Sequence, residues 1–147
     1  MLKNRTLTLI LGVFLYFPAL SFALSLGEIQ VHSHFAQPFS AEISIPSYTS
    51  DELENLDVTL ASPEKFEAMG LEILPVMQQF IFSIEQKPNG VPFIKIYTKK
   101  PIKELSISFV IEASWIGGRI IKDYHVLLTP EAITELREEQ QLHQQLA

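Results

Sequence analysis

The sequence predicts an all-β fold, an immunoglobulin-like antiparallel β-sandwich of about seven strands with one short helix and a C-terminal helical tail. Three observations support this fold class. Stretches of alternating apolar and polar residues recur about every 10 to 15 residues between turn signals, which is typical of short antiparallel strands. Two pairs of these stretches are joined by hairpin-type turns. The sequence shows no strand–helix–strand alternation and no internal repeat.

Seven stretches have the alternation and the β-branched or aromatic content of strands. They cover residues 27–33, 39–45, 56–60, 80–84, 93–97, 105–115 and 119–128. Pro46 ends the second stretch, because proline cannot donate a hydrogen bond to a strand ladder. The turns between these stretches decide which side chains face each other.

The first hairpin turns at Pro88-Asn89-Gly90. This order fits a type I turn with Gly90 in the left-handed bulge position. The resulting three-residue loop aligns Ile84 with Ile94 and Phe82 with Ile96 on one face, which we expect to be the core face. On the other face, Ser83 aligns with Lys95 and Glu85 with Phe93.

The second hairpin contains Gly117-Gly118. A two-residue Gly-Gly loop predicts that Trp115 aligns with Ile120, Ile111 with Tyr124 and Phe109 with Val126. The same register places Glu112 opposite Asp123, a like-charge pair that is unfavourable across two strands.

Helices are expected at three places. Residues 51–55 suit a single helical turn. Ser62-Pro63-Glu64 has the N-cap, first-turn proline and acidic residue of a helix start, and Gly70 is placed to end that helix. Thr129-Pro130-Glu131 begins the polar tail, residues 131–147, which we interpret as a solvated helix or the start of a linker. The alternative for the tail is a dimerisation or docking helix.

The first 23 residues have the pattern of a secretory signal peptide. Lys3 and Arg5 precede an apolar run over residues 7–17, and Ser21-Phe22-Ala23 places small residues at the −3 and −1 positions of a cleavage site. The run is shorter than the about 20 residues that cross a bilayer comfortably. We therefore expect cleavage after Ala23. The alternative is an uncleaved leader, the one case in which we expect membrane attachment.

Residues 24–147 carry 9 basic and 17 acidic residues, a net charge of −8. Nucleic-acid binding needs clustered lysine and arginine, so this balance argues against it. The chain contains no cysteine, which excludes thiol nucleophiles, cysteine-based zinc sites and disulfides. An exported domain without disulfides depends on its apolar core alone.

Two groups of residues are weak candidates for chemistry. His32 and His34 share a face if they lie on a strand, but no third metal ligand is evident, so we expect no metal site. Glu112, Asp123 and His125 are placed to cluster on the outer face of the second hairpin. A solvated strand face is the favoured interpretation, with acid–base chemistry as the alternative. No catalytic residue and no cofactor is expected.

The candidate partner-binding residues are Phe93, Tyr97 and Ile81. Phe93 and Tyr97 lie opposite the core face of the first hairpin, with Ile81 beside Tyr97. Either other strands cover them or they form an exposed apolar patch of the kind that marks partner sites. Trp115 is interpreted as a core or rim anchor. Pro92 and Pro101 are interpreted as marking a sheet edge that can accept a partner's strand.

Many of these elements, in this order, resemble the periplasmic N-terminal domain of FimV/HubP-type proteins. The resemblance covers residues 24 to about 130. It rests on Leu26-Gly27-Glu28-Ile29, Ser33, Gln37-Pro38-Phe39-Ser40-Ala41-Glu42-Ile43, Leu60-Ala61-Ser62-Pro63-Glu64, Phe66, Gly70, Asn89-Gly90, Pro101, Trp115, Gly118-Arg119, Tyr124 and Val126-Leu127-Leu128.

The resemblance implies a protein of the Gram-negative periplasm that is not an enzyme. Members of the family support type IV pilus assembly, twitching motility and, in some species, type II secretion or cell-pole organisation. They usually continue into a peptidoglycan-binding LysM domain, a transmembrane helix and a cytoplasmic region. This chain looks like a stand-alone copy of the first domain, so direct peptidoglycan binding is not expected.

We therefore expect a non-enzymatic protein-binding or scaffold domain whose partners are envelope proteins of the pilus or secretion machinery. The alternative is a periplasmic pilus-type chaperone that caps exposed subunit strands, although such chaperones usually have two domains and a basic cleft. A small hydrolase has little support, because no nucleophile–base spacing stands out.

Overall fold

A computed structural model describes residues 23–146, which form two antiparallel sheets packed face to face. One sheet has four strands and the other has three. The predicted fold class and the predicted number of strands are confirmed. The expected leader lies outside the described residues, except for Ala23.

The strands and helices follow one another in a simple order. The strands are β1 (Ile29–Val31), β2 (Pro38–Ser44), β3 (Asp57–Leu60), β4 (Ile81–Gln86), β5 (Pro92–Pro101), β6 (Ser106–Trp115) and β7 (Gly118–Leu127). The four-stranded sheet has the order β1-β2-β5-β4, and the three-stranded sheet has the order β3-β6-β7. The helices are α1 (Ser50–Glu54), α2 (Pro63–Ala68), a 3₁₀ helix (Pro75–Gln79) and α3 (Glu131–Leu146). Sequence reasoning missed the 3₁₀ helix, which starts at a proline as helices often do.

The short helices are held by local capping interactions. Thr49 and Glu52 form a reciprocal capping box at the start of α1. Ser62 occupies the N-cap of α2 as predicted, but its hydroxyl makes no capping bond to the helix backbone. Gly70 ends that helix in the left-handed region, with φ of 70°, and the following N–H, of Leu71, donates to the Phe66 carbonyl.

The first hairpin has the predicted register. Ile84 lies opposite Ile94 and Phe82 lies opposite Ile96. Gly90 has a φ of 84°, a left-handed conformation that glycine adopts without strain. The 3.1 Å hydrogen bond from the Val91 N–H to the Asn89 side chain completes the turn.

The predicted register of the second hairpin is wrong by two residues. The turn residues are Ile116 and Gly117, so Trp115 lies opposite Gly118 and Phe109 lies opposite Tyr124. A shift of two residues leaves each side chain on the predicted face, because side chains alternate with a period of two. It also separates Glu112 from Asp123, which removes the predicted like-charge pair.

Four aromatic rings connect the two sheets through the core. Phe80 stacks on Phe39 of β2 with 5.3 Å between ring centroids and meets Phe109 of β6 edge-to-face at 5.2 Å. Phe109 contacts Tyr124 of β7 at 5.9 Å. Such pairs add to the stabilisation from apolar burial. We call these residues the aromatic row: Phe39, Phe80, Phe109 and Tyr124.

The N-terminal segment closes one side of the sandwich. The Leu24 side chain is 2% exposed, and Ser25 pairs with Ser47 in an isolated bridge. The Tyr124 hydroxyl donates to the Gly27 carbonyl over 2.9 Å, and the Lys122 ammonium donates to the same carbonyl over 3.1 Å. Burial raises the pKa of the Tyr124 hydroxyl, with smaller contributions from nearby carboxylates, so it remains a donor.

Phe80→Ala tests the aromatic row. Phe80 contacts two of the other three rings, so truncation leaves a cavity in the middle of the row, and we expect the free energy of unfolding to fall by about 3–5 kcal/mol. Urea denaturation followed by circular dichroism measures it. The control is Leu127→Ala, at a side chain that is 75% exposed, which we expect to cost about 0.5 kcal/mol or less. Equal losses in the two variants would contradict this description of the core.

Candidate partner-binding surface

The outer face of the four-stranded sheet carries the three residues predicted to bind a partner. Ile81 and Tyr97 lie directly opposite each other on β4 and β5. Phe93 lies four residues before Tyr97 on the same face of β5, a separation of about 13 Å along the strand. Lys95 lies between the two aromatic residues. The structure thus brings Ile81 and Tyr97 together and keeps Phe93 apart.

Phe93 is buried although it points away from the core. Its side chain is 7% exposed, yet it is not part of the core cluster. The Lys87 ammonium lies 5.7 Å above the centre of its ring and 3.3 Å from the Glu42 carboxylate. The position over the ring suits a cation–π contact. Lys87 therefore covers Phe93, and the ring contributes to the floor of a depression of about 270 Å³ rather than to an open surface.

Ile81 and Tyr97 are both only partly buried. The Lys95 ammonium lies 5.6 Å from the centre of the Tyr97 ring and 3.5 Å from the Glu85 carboxylate. Glu85 also accepts a 3.1 Å hydrogen bond from the Ser83 hydroxyl. Lys95, whose charge is paired with that of Glu85, therefore borders the apolar pair of Ile81 and Tyr97 on one side.

Pro92 and Pro101 do not mark a sheet edge. They are the first and last residues of β5, which lies inside its sheet between β2 and β4. Proline is tolerated at these positions because each is a strand terminus, where fewer ladder bonds are needed. The edge strands of the described sandwich are β1 and β4 in one sheet and β3 and β7 in the other.

A buried threonine fixes the end of β5. The register between β2 and β5 shifts between Pro38 and Ser40, which leaves the Phe39 N–H without a ladder partner. The Thr98 hydroxyl accepts from that N–H over 2.9 Å and donates to the Lys100 carbonyl over 2.8 Å. This pair of hydrogen bonds holds the backbone of Lys100 in a defined position.

The two histidines near the start of the domain have different polar partners. His32 lies 3.6 Å from the Glu42 carboxylate, and the backbone N–H of His34 donates to the Gln37 side chain. Both histidines follow the end of β1 at Val31. Within residues 23–146, no three His, Cys, Asp or Glu side chains lie close enough together to hold a metal ion.

The predicted cluster of Glu112, Asp123 and His125 is divided by the corrected register. Glu112 pairs with Arg119 at 3.3 Å. His125 instead contacts Asp123 at 3.3 Å through Nε2 and the Ser108 hydroxyl at 2.6 Å through Nδ1. Sequence reasoning missed the contact with Ser108, because the predicted register placed other residues opposite His125. The His125 and Asp123 side chains are 64% and 49% exposed.

Trp115 occupies the rim of the sandwich, as interpreted from the sequence. It is partly buried and packs against the core cluster. A Cβ atom at Gly118 would lie 3.0 Å from the Trp115 ring, a tight contact that glycine avoids. Next to Trp115, the Ile116 side chain at the hairpin tip is 87% exposed.

The two packed antiparallel sheets define an immunoglobulin-like domain with a candidate surface on the outside of its four-stranded sheet. Residues 24–131 match the family model of the FimV N-terminal domain, described as an Ig-like domain. The chain belongs to this family.

Two curated relatives were found. The chain is 35% identical over 107 residues to the motility hub protein FimV of Pseudomonas aeruginosa strain PAO1, and equally to that of strain UCBPP-PA14. The match covers 73% of this chain but 12% of each relative. No solved structure matches. Within the described residues, no helix is long and apolar enough to cross a membrane.

Burial separates the roles of Phe93 and Tyr97. We expect Phe93→Ser to lower the free energy of unfolding by about 3 kcal/mol or more, because it removes a buried ring and leaves a hydroxyl in its place. Tyr97→Ser removes a partly exposed side chain, and we expect it to cost about 1 kcal/mol. Chemical denaturation of both variants checks this. A stability loss for Tyr97→Ser equal to that for Phe93→Ser would show that Tyr97 is needed for folding.

Proposed function

We propose that this chain is exported to the periplasm of a Gram-negative bacterium and acts there as a non-enzymatic protein-binding domain that supports type IV pilus assembly, twitching motility or cell-pole organisation. The observation that carries the proposal is the match of residues 24–131 to the FimV N-terminal domain. The relatives are named motility hub proteins, and a hub acts by binding other proteins. The match covers only a small part of those relatives, so this chain's share in motility is proposed from one shared domain.

The contacts of the N-terminal segment support export with cleavage after Ala23. Leu24 is almost fully buried and Ser25 already pairs with Ser47. Buried and paired residues are therefore present directly after the expected cleavage site. Removal of residues 1–23 would leave these contacts in place.

The environment of Ser108 supports a binding role over a hydrolytic one. Ser108, His125 and Asp123 combine the residue types of a serine hydrolase. Such an enzyme also needs a substrate cleft and donors for an oxyanion. The exposed His125 and Asp123 lie on an open sheet face, and none of the depressions described here is lined by any of the three residues.

We propose that Ile81 and Tyr97 form the centre of the partner-binding surface and that Phe93, which Lys87 covers, lies at its margin. Tyrosine supplies a large rigid contact area at low entropic cost and is enriched at the energetic centres of interfaces. Ile81 and Tyr97 form a cross-strand pair, so their relative position is fixed by the ladder. Contact with a partner would remove apolar surface of both side chains from water, which favours association.

Complementation in the bacterium that encodes this chain tests the proposal. We expect deletion of the gene to reduce the twitching zone and the wild-type gene to restore it. The double variant Ile81→Ser with Tyr97→Ser should be exported and folded but should not restore twitching, because the partner contact is lost. A tagged wild-type protein should capture pilus or secretion proteins from the periplasm, and this variant should not.

The matched control is Ile116→Ser with Tyr48→Ser. It exchanges one isoleucine and one tyrosine whose side chains are exposed and lie away from the proposed surface. We expect this variant to restore twitching. A folded Ile81→Ser/Tyr97→Ser protein that restores twitching and captures the same proteins would contradict the proposed surface. A deletion strain with normal twitching, pili and cell-pole organisation would contradict the proposed function.

A further inference from the structure

Positive charge is concentrated on one part of this acidic domain. Residues 73–103 contain five lysines and one glutamate, a net charge of +4, whereas the rest of residues 24–147 contains 4 basic and 16 acidic residues. The lysines belong to the hairpin of β4 and β5 and to the turn that follows it. The proposed partner-binding surface lies on the same hairpin.

Within residues 23–146, three of these five lysines have no carboxylate partner. Lys87 pairs with Glu42 and Lys95 pairs with Glu85. The ammonium groups of the remaining three, Lys99, Lys100 and Lys103, lie within 4 Å of no carboxylate in the part of the chain that the structure describes. Their charge is therefore available to a ligand.

Lys99 and Lys100 border a depression next to Ile81. The depression has a volume of about 370 Å³ and is lined by Gln78, Gln79, Ile81, Lys99 and Lys100. It arises because β4 begins at Ile81 while β5 continues past Tyr97 to Pro101. The 3₁₀ helix supplies the two glutamines at its end.

The polar groups around this depression favour an anion. The residues that line it, Lys99, Lys100, Gln78 and Gln79 beside Ile81, carry N–H donors, and none of them carries a carboxylate. The Thr98 hydroxyl fixes the backbone carbonyl of Lys100, so the site is built on a positioned strand end rather than on a mobile loop. An incoming carboxylate would form charge-assisted hydrogen bonds there.

We propose that this depression, formed by Gln78, Gln79, Ile81, Lys99 and Lys100, binds a carboxylate of an acidic partner segment whose apolar side chain rests on Ile81 and Tyr97. The inference rests on the proposed function and specifies the chemistry of its partner. The volume suits one or two side chains. The acidic remainder of the domain repels an extended polyanion such as a nucleic acid or an anionic membrane, which favours a local acidic segment of a protein.

Two matched peptides test the inference on the purified protein. The first is acetyl-Gly-Phe-Glu-Glu-Gly-amide, and the second has glutamine in place of both glutamates. We expect the acidic peptide to shift the backbone amide NMR signals of Gln78, Gln79, Ile81, Lys99 and Lys100, and to bind at least about fivefold more tightly than the neutral peptide. The preference should shrink in about 0.5 M NaCl, because salt screens surface charges.

Charge-reversed variants locate the binding site. Lys99→Glu with Lys100→Glu should weaken binding of the acidic peptide by about tenfold at low salt, which corresponds to about 1.4 kcal/mol. The control Lys65→Glu with Arg137→Glu changes the net charge by the same amount but outside the depression. It should weaken binding of the acidic peptide by less than about twofold. Equal binding of both peptides, equal effects of both variants, or stronger binding to phosphatidylglycerol vesicles than to the acidic peptide would overturn the inference.

Partner capture separates this inference from the proposed function. If Lys99→Glu/Lys100→Glu and Ile81→Ser/Tyr97→Ser both abolish capture of the periplasmic partner, the inference is supported. If only Ile81→Ser/Tyr97→Ser abolishes capture of the partner, the proposed surface stands and the acidic-segment inference fails. If neither abolishes it, the proposed surface itself fails.

Discussion

The contact between Phe39, Phe80, Phe109 and Tyr124 is the interaction on which the rest of the structure depends. These rings connect strands of both sheets, and the chain has no cysteine to provide a disulfide. Apolar packing must therefore hold the sheets together without a covalent constraint. Because the inner face is fixed in this way, the outer face of the four-stranded sheet can present Ile81 and Tyr97 in a constant relative position. The proposed surface is a consequence of that rigid layer.

The two hairpins show where sequence reasoning succeeds and where it fails. The turn at Pro88-Asn89-Gly90 has one position that requires a left-handed backbone, so its register could be predicted. In the second hairpin, the sequence places the turn at Gly117-Gly118, whereas the turn residues are Ile116 and Gly117 and the Ile116 side chain is exposed. Gly118 is of a residue type that favours turns, but in the structure it leaves room for the Trp115 ring. The 3₁₀ helix was missed because so short an element leaves little periodic signal.

The candidate surface was predicted only in part, because exposure depends on contacts between distant residues. Alternation placed Phe93 and Tyr97 on the outer face, but it could not show that Lys87 covers Phe93. The lysine-rich composition of residues 73–103 is visible in the sequence, whereas the depression beside Ile81 depends on where β4 starts relative to the end of β5. The contact between Ser108 and His125 could not be predicted, because the predicted register of the second hairpin placed other residues opposite His125. Tertiary contacts, rather than local propensity, decide these features.

We propose that this immunoglobulin-like domain of the FimV family acts by contact through the outside of its four-stranded sheet. Site-specific photo-crosslinking in living cells tests this claim most directly. A photoreactive amino acid in place of Tyr97 should form a covalent adduct with a discrete envelope protein, and the same amino acid in place of Leu127, an exposed residue of β7, should not. Absence of an adduct at position 97, or identical adducts at both positions, would contradict the account.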